Sequence, residues 1–168
     1  MSATVAVNAA MVWLGWLGFF GWLGFAGAGR ATPERPDAAV VLFERGVRQP
    51  LAPGDPAARE LVALCETQLQ TASEILRLAV GPSLLRDLRD REWVVEITYS
   101  TTRTWPSPFP NRPPLRIRRL LIPLSGDLAG SMTTIFLGDA EYVAGPYRNH
   151  RGTRELEILA ARLDSTKR

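Results

Sequence analysis

Between Met11 and Gly29 the chain reads MVWLGWLGFFGWLGFAGAG, and no charged side chain precedes Arg30. As a helix, the 19 residues of this stretch would rise roughly 28 Å, close to the hydrocarbon thickness of a bilayer. The repeated glycines make it a poor helix in water, by about 1 kcal/mol each relative to Ala. In lipid the backbone must satisfy its own hydrogen bonds, and a single segment does so only as a helix. The expectation is a membrane anchor over residues 1–29, in contact with the bilayer through residues 11–29, with a soluble domain behind it.

The segment is built of triplets ending in glycine, from Trp13-Leu14-Gly15 to Phe25-Ala26-Gly27. A step of three drifts by about 60° on a helix, so the glycines form a slanting stripe rather than one face. Only Gly24 and Ala28 meet the small-xxx-small spacing, which makes assembly through this helix an alternative role. Ala26-Gly27-Ala28 resembles a signal-peptidase site, but the preceding region has no Lys or Arg and the apolar run exceeds the usual 7–15 residues or so. An uncleaved anchor is therefore preferred to a cleaved leader. Arg30 and Arg35 argue for a cytoplasmic domain. A lone apolar segment ahead of a compact domain is the usual layout for export, and an extracytoplasmic, single-pass arrangement at the cell envelope is expected.

From Arg30 onward about 139 residues remain, enough for one ordinary domain. The net charge of +3 and pI near 9.6 reflect Arg in place of Lys rather than a dense basic run, so no nucleic-acid partner is expected. The lone Cys65 excludes an intramolecular disulfide and falls at an apolar helix position, which predicts a buried, inert thiol. One Cys and one His cannot supply a structural zinc site. Asp127, Asp139 and Glu141 lack calcium-loop spacing, and no glycine-rich phosphate loop occurs. No metal and no cofactor are expected.

Residues 30–37 read as a polar spacer. Ala39–Glu44 and Val47–Leu51 form a hairpin through Arg45-Gly46. Asp55 and Pro56 start a helix whose apolar spacing continues through Leu61, Cys65, Leu69, Ile75 and Ala79 to about Val80, ended by Gly81-Pro82. Ser83 caps a short second helix to about Arg91. Strands follow at Trp93–Tyr99, Leu115–Leu124 and Met132–Leu137, with a short one over 141–144. A Pro-rich loop spans Thr104–Pro114, and Thr153 caps a terminal helix from Arg154 to about Leu163. The order β-β-α-(α)-β-β-β-α predicts an α+β domain over residues 38–164. Its mostly antiparallel sheet of about five strands is packed by one long and one terminal helix, preceded by a single transmembrane helix and followed by a polar tail at 165–168. The second face of the sheet is expected to be polar or covered by loops.

Two stretches carry candidate sites. Residues 145–153 gather Tyr147, Arg148, Asn149, His150 and Arg151 ahead of a helix N-terminus, where arginine forks and free N–H groups suit a small anion. Alternatively, Arg148 and Arg151 pair with Glu155 and Glu157. In the Pro-rich loop, Trp105 and Phe109 either present an apolar edge to a protein partner or fold back on the core. The leading functional expectation is a non-catalytic, membrane-anchored domain that binds a partner or an anionic ligand. The rival is a small hydrolase using His150 with Ser125, Ser131, Asp127 or Asp139, although no nucleophile elbow is present.

Overall fold

The first hairpin turns on two residues with positive φ, Arg45 at 47° and Gly46 at 86°, the type I′ geometry that matches strand twist. It joins β1 (Ala38–Glu44) to β2 (Val47–Pro50). The computed structural model describes residues 37–143 and 145–165. The expected anchor, the spacer up to residue 36 and the last three residues lie outside these. Among the described residues no helix is long and apolar enough to cross a membrane.

Beyond the hairpin come α1 (Pro56–Gln70), β3 (Glu74–Ile75), α2 (Pro82–Arg91), β4 (Trp93–Trp105), β5 (Leu115–Pro123), β6 (Thr133–Gly138), β7 (Tyr147–Asn149) and α3 (Arg154–Ser165). The fold is α+β, with one seven-stranded sheet in the order β2-β1-β4-β5-β6-β7-β3. Every neighbouring pair is antiparallel. Seven strands replace the expected five because β3 and β7, two and three residues long, pair with each other and extend the sheet past β6.

The helix expected to reach Val80 ends at Gln70. Its start is as read: Asp55 Oδ1 accepts from Ala57 N at 2.8 Å, and Pro56 opens the first turn. At its end, the Asn149 amide donates to the Gln68 carbonyl at 2.8 Å and to Thr71 Oγ1 at 2.6 Å. The chain then extends, with Ser73 N bonded to the Arg148 carbonyl and Leu76 N to that of Pro146, both at 2.8 Å. Tertiary strand pairing has overridden a local helical period. The stretch past Gln70 divides between the two cores: Ile75, from the expected helix face, packs with the α1 and α3 cluster, whereas its neighbours Leu78 and Val80 pack with the α2 cluster.

Both faces of the sheet are covered. Leu61, Cys65 and Leu69 of α1, with Leu156, Leu159 and Ala160 of α3, close over Val95, Ile97, Tyr99, Leu120, Ile122 and Ile135. The second face, expected to be polar or under loops, carries α2, whose Leu88 packs with Val94, Leu121 and Phe136. The cap of α2 also differs from expectation. Gly81, not Ser83, is the N-cap, and it makes no side-chain hydrogen bond. At its other end the hairpin turn supplies partners for the last carbonyls, Gly46 N donating to Arg89 O at 2.9 Å and Arg45 N to Glu92 O at 3.2 Å. Beyond β6, the strand expected over 141–144 is reduced to a single bridge between Gly138 and Tyr142.

Candidate functional site

The stretch 145–153 is a strand and a turn rather than an open loop, and its side chains diverge. Tyr147 and Asn149 are buried on the α1 side. The Tyr147 ring lies 5.8 Å from that of Phe109, inclined by 37°, and burial raises its pKa against an opposing pull from Arg112. Arg148 pairs with Glu74 at 3.4 Å, across the strands rather than with Glu155 or Glu157. Its Nε is buried without a hydrogen-bond partner among the described residues. Asn149 is fully engaged, donating to α1 and accepting from Arg151 N at 2.8 Å. His150 and Arg151 are exposed.

The groups of the hydrolase reading do not converge. Ser125 Oγ accepts from Trp93 N at 2.8 Å and donates to Glu92 at 2.7 Å, and among the described residues His150 has no hydrogen bond to a serine or carboxylate. Thr153 stands just before α3 with its carbonyl accepting from Glu157 N at 2.9 Å, while its hydroxyl accepts from Gly130 N at 3.2 Å and donates to Glu157. Trp105 and Phe109 are half-buried against the α1 core. Cys65 is completely buried and desolvation pushes its thiol pKa up, well away from a reactive thiolate.

A cleft of about 480 Å³ opens elsewhere, over β1, β4 and β5 between α2 and the turn 139–142. Phe43, Val80 and Leu85 form its apolar wall, and Arg86, Arg89, Arg119, Asp90, Glu141 and Tyr142 supply its polar groups. At its base Arg89 binds Glu96 in bidentate fashion, Nε to Oε2 at 3.0 Å and Nη2 to Oε1 at 2.9 Å. Tyr142 donates to the same Oε1 at 2.8 Å. Burial opposes the Arg89 charge, but the hydrogen bonds and charge of Glu96 outweigh it, and the pKa rises. Burial also raises Tyr142, reinforced by Glu96 and opposed by Arg89 and Arg119. The phenol stays protonated, as its donor role requires. The Arg89 guanidinium lies 5.7 Å from the centroid of the Phe43 ring.

The rim is built as deliberately as the base. Asp139 accepts from Thr102 at 2.6 Å and from Arg116 at 3.3 Å, which anchors one end of the turn. Tyr142 anchors the other. A Cβ at Gly138 would stand 2.1 Å from the Glu141 carbonyl, so only glycine permits this turn. In contrast to the base, Arg86, Arg119, Asp90 and Glu141 make no ion pair among the described residues. No group of three or more His, Cys, Asp or Glu among the described residues is arranged to hold a metal ion.

Sequence reasoning missed this cleft because its residues are drawn from segments scattered between Phe43 and Tyr142: β1, the hairpin turn, α2 and the residues before it, β5 and the 139–142 turn. One signal was present. Val94-Val95 and Leu120-Leu121-Ile122 place apolar side chains on both faces of their strands, which demands cover on both sides of the sheet. Comparison with family models, curated proteins and solved structures gives no match for this chain.

Proposed function

We propose that the domain is a non-catalytic binding module, held at a membrane by residues 11–29, whose ligand is a small charged molecule with an apolar body seated in the α2 cleft. The observation that carries this reading is the division of labour in that cleft. Its half-buried inner charges, Arg89 and Glu96, satisfy one another, whereas the charges at its mouth make no ion pair among the described residues and stand beside an apolar wall. Small-molecule sites commonly combine those features within volumes of about 300–1,000 Å³. An extracytoplasmic position goes with the same reading, and an alkaline phosphatase fusion after Arg168 tests it: activity is expected, and its absence overturns the placement.

The cleft reading is tested on the full chain in lipid nanodiscs, by thermal unfolding followed through tryptophan emission. The probes are 4-phenylbutyrate, 4-phenylbutylamine and phenylalanine. At least one should raise the unfolding midpoint, and Val80→Trp, which fills the cleft, should abolish that rise while leaving the ligand-free midpoint within a few degrees. No shift with any of the three overturns the reading.

A further inference from the structure

Resting on that reading of the cleft, we infer that its occupant is zwitterionic: an apolar amino acid or short peptide recognised through both of its free termini. Four charged groups line the cleft without ion-pair partners among the described residues, two guanidinium groups and two carboxylates. Arg86 and Asp90 are one helical turn apart on α2, a spacing at which opposite charges can pair, yet they form no ion pair. Arg119 on β5 and Glu141 in the 139–142 turn likewise do not pair. The formal charges of these four groups cancel.

That balance selects among ligand classes. A simple anion would gain from Arg86 and Arg119 but would approach Asp90 and Glu141 unfavourably. A simple cation meets the converse penalty. A molecule bearing a carboxylate and an ammonium matches both sets at once, and complementarity of this kind sets specificity more than raw affinity. Arg89 is held at the base by Glu96, through Nε and Nη2, and leaves recognition to the outer charges. Phe43, Val80 and Leu85 then receive the apolar side chain. Free termini are the chemistry that carries both charges on a compact molecule, and their capture is a recurring mode of peptide recognition.

The experiment titrates the full chain in nanodiscs, by calorimetry, with Leu-Leu, N-acetyl-Leu-Leu, Leu-Leu amide and 4-phenylbutyrate. Leu-Leu should bind, and each singly capped form should bind at least tenfold more weakly. Arg86→Ala with Arg119→Ala should weaken Leu-Leu at least tenfold, as should Asp90→Asn with Glu141→Gln. All four positions are exposed, and an unchanged ligand-free unfolding midpoint confirms that each double variant is folded. If N-acetyl-Leu-Leu or phenylbutyrate binds as tightly as Leu-Leu, the zwitterion inference fails and the cleft reading survives. If none of the four binds, both fail.

Discussion

The two faces of the sheet are built to different standards. Under α1 and α3 the apolar packing is continuous, and two of the polar side chains that reach it are bound to partners: Tyr99 donates to Glu66 at 2.9 Å, and Asn149 binds the end of α1. Under α2 the buried apolar set is small, an ion pair bonded to a tyrosine forms part of the floor and a cleft remains open. One helix ten residues long cannot cover a face that two longer helices cover on the other side. The lesson is that stability and opportunity for binding are separated in this domain by the thickness of one sheet.

That contrast can be broken by truncation. Leu61→Ala, on the fully buried α1 side, should lower unfolding free energy by about 3–4 kcal/mol. Leu85→Ala, at the half-buried cleft wall, should cost about 1 kcal/mol, since water can fill the space. Urea unfolding midpoints measure both, and equal losses would erase the distinction between the faces. Next in size is Glu96→Gln. It leaves Arg89, mostly enclosed, with an uncompensated charge, for an expected loss of about 2 kcal/mol. A neutral result would mean that solvent already screens the base of the cleft.

The smallest effect sharpens the comparison through pH. Burial raises the pKa of Tyr99 on one face and of Tyr142 on the other, with Glu66 and Glu96 respectively adding to it. Because the folded values exceed the unfolded one, this stabilisation is complete below about pH 10 and is lost as pH rises through the folded values. Each phenol should account for less than about 1 kcal/mol of the loss at pH 10.5. Tyr99→Phe and Tyr142→Phe should each flatten the alkaline decline in urea midpoint; a decline unchanged in both variants would place its origin elsewhere.

Much of the scaffold is legible in the residues. The Arg45-Gly46 hairpin, the Asp55-Pro56 helix start, the strands at Trp93, Leu115 and Thr133 and the apolar stripe of α3 follow from local pattern and turn chemistry. What escapes is set by partners far away in sequence. Residues 71–80 keep a helical period, but the Asn149 amide ends the helix and the backbone of β7 takes the extended chain. The cleft escapes for a related reason. Glu96 reads as the outward residue of a strand, and only the approach of Arg89 and Tyr142 from two other segments turns it into a half-buried acceptor.

The sheet tapers at both margins, to a four-residue β2 that ends in proline and a two-residue β3. Little unclaimed main chain is left at either border for a strand from another molecule to zip onto. Edges so short offer few backbone donors and acceptors to a strand of another copy, so edge-to-edge growth of this sheet is disfavoured while the charged side chains between its borders remain exposed.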